Sequence, residues 1–147
     1  MTRIQMLLLA LLLIPAVTLA EGGLVISDAW SPEAPPGRMM AGFMELHNTG
    51  EDAIVLVDGE SPLFGHVEIH TMIMDEGVMR MRRLDELAIA PGEVVKLRPG
   101  GLHLMLIDPQ QPLALGETID ITLIDEQGER YPLVSEVRER TRPSMGD

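Results

Sequence analysis

Beyond residue 20, apolar residues recur at every second position in short runs, and each run is stopped by Gly, Pro, Asn or Asp. A side-chain period of two belongs to a strand with one buried face, whereas a helix needs apolar residues three and four apart. The runs fall at 24–30, 41–48, 53–57, 67–74, 78–84, 94–97, 102–107, 118–125 and 131–137. Turn-forming stretches separate them, among them Ser31 to Arg38 (SPEAPPGR), Asn48-Thr49-Gly50, Asp58 to Gly65, Asp75-Glu76-Gly77, Pro99-Gly100-Gly101 and Glu126-Gln127-Gly128. Eight or nine short strands with no long helical period specify an all-β fold, an antiparallel β-sandwich or barrel.

A chain of 147 residues is long enough for one domain with a real core and too short to expect two. Aromatic residues make up 3% against 46% hydrophobic, so the interior must be built from Val, Ile, Leu and Met. The first twenty residues stand apart: Arg3, an apolar run from Met6 to Ile14, Pro15, and small residues ending at Ala20. That order is the pattern of a signal peptide cleaved after Ala20, and the run is shorter than the roughly 20 apolar residues that span a bilayer. The expected organisation is an exported protein with a signal peptide over 1–20, a β-domain over 21–137 and a flexible polar tail over 138–147, with no stable membrane insertion after cleavage. Cleavage leaves ten basic against twenty-three acidic residues, a formal charge of −13, which phosphate backbones would repel, so no nucleic-acid partner is expected.

Cysteine is absent. No disulfide can staple the fold, no lipid can be carried on a thiol, and the Cys that a blue-copper electron-transfer site requires is missing. The candidate soft-metal ligands lie instead between His70 and Met105. Ten residues separate His70 from Met81, twenty-one separate Met81 from His103, and one separates His103 from Met105. Two imidazoles and two thioethers suit Cu(I), since polarisable sulfur binds a filled-shell monovalent ion while oxygen-preferring metals gain little from it. Strand alternation turns His103 and Met105 to the same side, next to a Gly-Gly turn.

The register of the hairpin across Asp75-Glu76-Gly77 decides whether Met81 can join them. If residue 74 faces 79, Met79 and Met81 share the outer face of His70; if 74 faces 78, they turn inward as core. Met72, Met74 and Met79 are reserve thioethers near the site. Met39 and Met40 suit a lid or plain loop packing, Met44 reads as core, and His47 and His66 as surface residues. Glu68 shares the face of His70, where a solvated strand residue is favoured over an acceptor that orients the ring. The carboxylates show no paired acid and base, and there is no triad, phosphate loop or nucleophile elbow, so no enzymatic activity is expected. The alternative to a metal carrier is a secreted β-sandwich interaction module with a Met-rich face and no metal.

The spacing His70, Met81, His103, Met105 resembles the H(M)-x10-M-x21-H-x-M signature of the periplasmic copper chaperones called PCuAC. SDAWSPEAPPG, VEIHTM, LRPGGLHLML and PLALGETIDITL are similar to that family as well, from about Ile26 to Val137. The resemblance implies a cupredoxin-like Greek-key fold in the periplasm with an exposed site for one Cu(I). It also implies delivery of copper to the CuA centre on cytochrome c oxidase subunit II, alongside a Sco-type thioredoxin-like protein. Some members carry a His- and Met-rich tail associated with Cu(II); here only Met145 stands there, leaving weak Cu(II) binding through His70 and His103 as what imidazole chemistry permits.

Overall fold

The computed structural model describes residues 23–140, which form ten strands and no helix. These are β1 (Leu24–Pro32), β2 (Met40–Asn48), β3 (Ile54–Ser61), β4 (Phe64–Asp75), β5 (Val78–Leu84), β6 (Leu87–Ile89), β7 (Val94–Leu97), β8 (His103–Pro109), β9 (Thr118–Asp125) and β10 (Arg130–Arg138). The expected signal peptide at 1–20 lies outside the described residues, as does most of the expected tail. The strand order is β5-β4-β8-β2-β1-β10-β9-β3-β6, and a further β3–β4 pairing closes seven of the strands into a barrel. The neighbours β8–β2 and β9–β3 are far apart in sequence, the crossovers of a Greek key.

One pairing departs from the antiparallel rule. Trp30, Ser31 and Pro32 run parallel to Glu136, Val137 and Arg138. These strands come from opposite ends of the chain, so no hairpin dictates their sense, and their union completes the wall. Strand β1 therefore continues through Ser31 and Pro32, which the Pro-rich composition assigns to a loop. Pro can end such a strand because it lacks only the amide donor.

The interior is aliphatic, as the composition requires. Leu46, Leu56, Ile89, Leu104, Leu106, Ile119, Ile121, Leu123 and Val137 are fully buried. Two polar contacts thread it: Ser31 and Ser135 share a hydroxyl hydrogen bond of 2.8 Å, and the Asn48 amide donates to the carbonyls of Asp52 and Ile89. Asn48 is thus more than a turn former, because it ties the end of β2 to β6.

The segment Asp58 to Gly65, expected to break the sheet, is mostly strand. A Cβ at Gly59 would lie 2.7 Å from Val67 Cγ1, and one at Gly65 would lie 2.5 Å from Asp108 Oδ2. Gly59 lies opposite Val67 in the β3–β4 pairing that closes the barrel, where a side chain would crowd that valine, whereas Gly65 makes room for the Asp108 side chain of β8.

Candidate metal centre

The centre is built on three adjacent strands, β5, β4 and β8. The β4–β5 hairpin turns through two residues, Glu76 and Gly77, with φ of 49° and 79°, the sign pattern of a type I′ turn that matches the twist of its strands. Its register sets Met74 opposite Met79, Met72 opposite Met81 and His70 opposite Arg83. Of the two registers open to the sequence, this one brings Met81 to the face of His70.

On the other side of β4, His70 stands opposite His103 and Glu68 opposite Met105. Val67, Ile69, Leu104 and Leu106 point into the barrel, so the alternate residues Glu68, His70, His103 and Met105 lie on its outer wall. Although outward, His103 and Met105 are only 5% and 6% exposed. Ala41 of β2 lies opposite Met105, and Phe43 on the same face of β2 packs against Trp30 with ring centroids 5.1 Å apart. His70 is half-buried, and Met81, on the edge strand β5, is 50% exposed.

The hydrogen bonds of the two imidazoles define their free atoms. His103 donates from Nδ1 to the carbonyl of Gly101 at 2.9 Å, within the turn where Gly100 takes a φ of 81°, and this leaves Nε2 as the lone-pair nitrogen of the neutral ring. His70 donates from Nε2 to Glu68 Oε2 at 2.8 Å, so its lone pair is on Nδ1. That Nδ1 is buried and has no hydrogen-bond partner, the one such side-chain atom among the described residues. The two rings lie 5.9 Å apart, tilted by 40°.

Glu68 is therefore not the solvated strand residue favoured from the sequence. The bond from His70, and secondarily the positive charge of Arg83 at 3.6 Å, hold its carboxyl below the usual range against the opposing effect of burial. The available signal was the E-x-H spacing, which at a period of two puts both side chains on one face. Met40 packs in the core while Met39 is exposed, and neither His47 nor His66 is drawn into the centre. No group of three or more His, Asp or Glu among the described residues is arranged to hold an ion. A surface depression of about 560 Å³ shares none of these residues and is bordered by Asn48, Asp52, Asp125 and Tyr131.

A family model described as "Putative lipoprotein LpqE-like" matches residues 24–137. The chain belongs to the LpqE-like family. It is 30% identical over 118 residues to "Putative lipoprotein Lxx21020" of Leifsonia xyli subsp. xyli, a match covering 80% of this chain and 70% of that one. It is 36% identical over 81 residues to the uncharacterized protein RP573 of Rickettsia prowazekii, covering 54% and 45% of the two chains. Among solved structures, the copper-bound PCuAC domain from PmoF2 shares the fold with a TM-score of 0.68 at 22% identity, over 82% of this chain and 97% of that one. The Cu(I) form of DR1885 from Deinococcus radiodurans matches with a TM-score of 0.62 at 29% identity, over 79% and 78%.

Proposed function

We propose that the protein is an exported Cu(I) carrier that holds one ion between His70, Met81, His103 and Met105. The observation that carries this reading is the orphaned Nδ1 of His70, a buried lone pair on the same face as the uncommitted Nε2 of His103. A buried polar atom without a partner costs about 1–3 kcal/mol, and a metal ion is one way to satisfy it. Two imidazoles sharing an ion need centroids no more than roughly 6 Å apart, allowing about 2 Å for each metal–nitrogen bond and about 1 Å for each ring. The separation of 5.9 Å meets that limit.

The likeness to the Cu(I)-bound DR1885 supports the choice of metal. All four donors are uncharged and one is half exposed, which suits an ion that must be given up to incoming ligands. A competitive titration with a colorimetric Cu(I) chelator tests the assignment. Wild type should retain one tight equivalent, and the H103A and M105A variants should bind far more weakly; unchanged affinity in both would end it.

Two further parts of the proposal rest on the resemblance and the N-terminal sequence. Export to the periplasm should yield a mature protein beginning at Glu21, which intact mass of periplasmic material would reveal. Delivery to the CuA centre of cytochrome c oxidase, with a Sco-type partner, predicts that copper moves from the loaded protein to an apo CuA domain. Metal analysis after separating the two proteins would decide the point.

A further inference from the structure

The β4–β5 hairpin carries more thioether than the proposed centre uses. Strand β8 pairs with β4 as far as His70 and β3 only as far as Val67, so residues 71–75 pair with β5 alone and project as a two-stranded arm. On the face of the centre, Met72 stands opposite Met81 and Met74 opposite Met79. Met74 is 66% exposed and Met79 48% exposed. Four of the eight methionines among the described residues lie on this arm. Its Met74 and Met79 are not in the core, where a flexible thioether would serve as filler.

Geometry makes each opposed pair a potential donor set. Directly opposed residues have Cβ atoms about 5 Å apart, so two flexible thioethers can close on a single ion. Same-face positions follow each other every 7 Å or so along a strand. The Met74–Met79 pair, the Met72–Met81 pair and His70 therefore make a flight of rungs leading from the tip of the arm to the centre.

We infer that Met74 and Met79 form a second, weaker Cu(I) site that takes the ion first and passes it by way of Met72 and Met81 to His70, His103 and Met105. The inference rests on the Cu(I) reading above and extends it to how the ion arrives. Every donor on the route is neutral. Each step exchanges one copper–sulfur bond for another or for a copper–nitrogen bond, and the ion keeps its single positive charge while no proton or electron moves. Two thioethers without an imidazole hold the ion less firmly than the four-donor centre, so the gradient runs inward.

The test uses the full chain labelled with ¹³C at the methionine ε-methyls and titrated with Ag(I), a soft monovalent ion that does not change oxidation state. The Met81 and Met105 methyls should move through the first equivalent and those of Met74 and Met79 only in a second. The M74L/M79L variant should keep the first transition at wild-type affinity, lose the second, and take Cu(I) from a colorimetric chelator complex several-fold more slowly. Leu preserves volume and apolar character at these exposed positions, so the fold is retained. Unmoved Met74 and Met79 methyls past the first equivalent, or wild-type loading by the variant, would overturn the outer site while leaving the centre intact. If Met81 and Met105 fail to respond first, the underlying reading of the centre falls instead.

Discussion

Replacing Glu68 isolates the contribution of a residue that would never touch the ion. Its carboxylate accepts from His70 Nε2 at 2.8 Å and is the contact that fixes which ring nitrogen keeps its lone pair. Removing the carboxylate partner of a metal-bound histidine typically weakens binding about 10–100-fold, or about 1.4–2.7 kcal/mol. The Glu68 side chain is 24% exposed, so water can partly replace it and the expected loss for E68A is at the lower end, about tenfold. Gln retains an acceptor oxygen without the charge, and because charge-assisted bonds are about twice as strong as neutral ones, E68Q should lose only about threefold. Chelator competition gives the affinities, and ¹H–¹⁵N correlation of the His70 ring should report a shift away from the Nε2–H tautomer in E68A. An E68A protein that binds copper like wild type, or an E68Q protein as weak as E68A, would refute this role.

The pH dependence separates the groups further. The folded value of Glu68 lies below its ordinary 4.5, so its stabilising contribution is complete above that value and is lost as pH falls through the lowered one. Copper binding that weakens at milder acidity is then owed to protons competing for the imidazoles. The affinity difference between wild type and E68A should accordingly be complete above pH 4.5 and shrink as pH falls through the lowered value of Glu68, as chelator competition across pH would record.

Two predictions concern the scaffold. Burial, together with the hydroxyl's bond to Asp125 Oδ2 at 2.8 Å, pushes Tyr131 up to about 12, so its contribution is complete below pH 10 or so and is lost as pH rises towards the higher value. Y131F should cost about 1 kcal/mol near neutrality and abolish that alkaline loss, as thermal melts across pH would record. G59A, which forces a Cβ to 2.7 Å from Val67, should destabilise by about 1–3 kcal/mol, whereas G42A, at 3.3 Å from Leu104, should be milder. Denaturant melts that rank the two the other way would contradict the account of barrel closure.

The period-two alternation locates nine of the ten strands, and the four-residue spacing nominates the centre. What escaped the sequence depended on neighbours that only the closed barrel supplies. Gly59 and Gly65 read as turn residues because composition cannot distinguish a glycine that bends the chain from one that admits a crossing strand. Strand β6 is three residues long, too short for a period to show, and is secured by the distant Asn48 amide. The hairpin register stayed open because a two-residue I′ turn needs Glu76 at a positive φ, which its side chain does not favour. Glu68 could be paired with His70 by period alone, but the charge of Arg83 that reinforces it comes from β5 and so follows the register.

The proposed donors differ in a way that bears on release. His103 and Met105 are 5% and 6% exposed on β8, which β4 and β2 flank on its two edges, so either is harder to withdraw from an ion than an exposed donor. Met81 sits half exposed on β5, the edge strand, and can swing away without disturbing any packed neighbour. An incoming ligand should therefore displace Met81 first, making it the residue that sets the rate of transfer while the β8 pair sets how firmly copper is held. In stopped-flow transfer of Cu(I) to a chelator, M81L should accelerate release more than its modest loss of affinity would suggest, and M105L should lose more affinity. Faster release from M105L than from M81L would mean that the ion leaves towards the barrel wall and not towards the free edge.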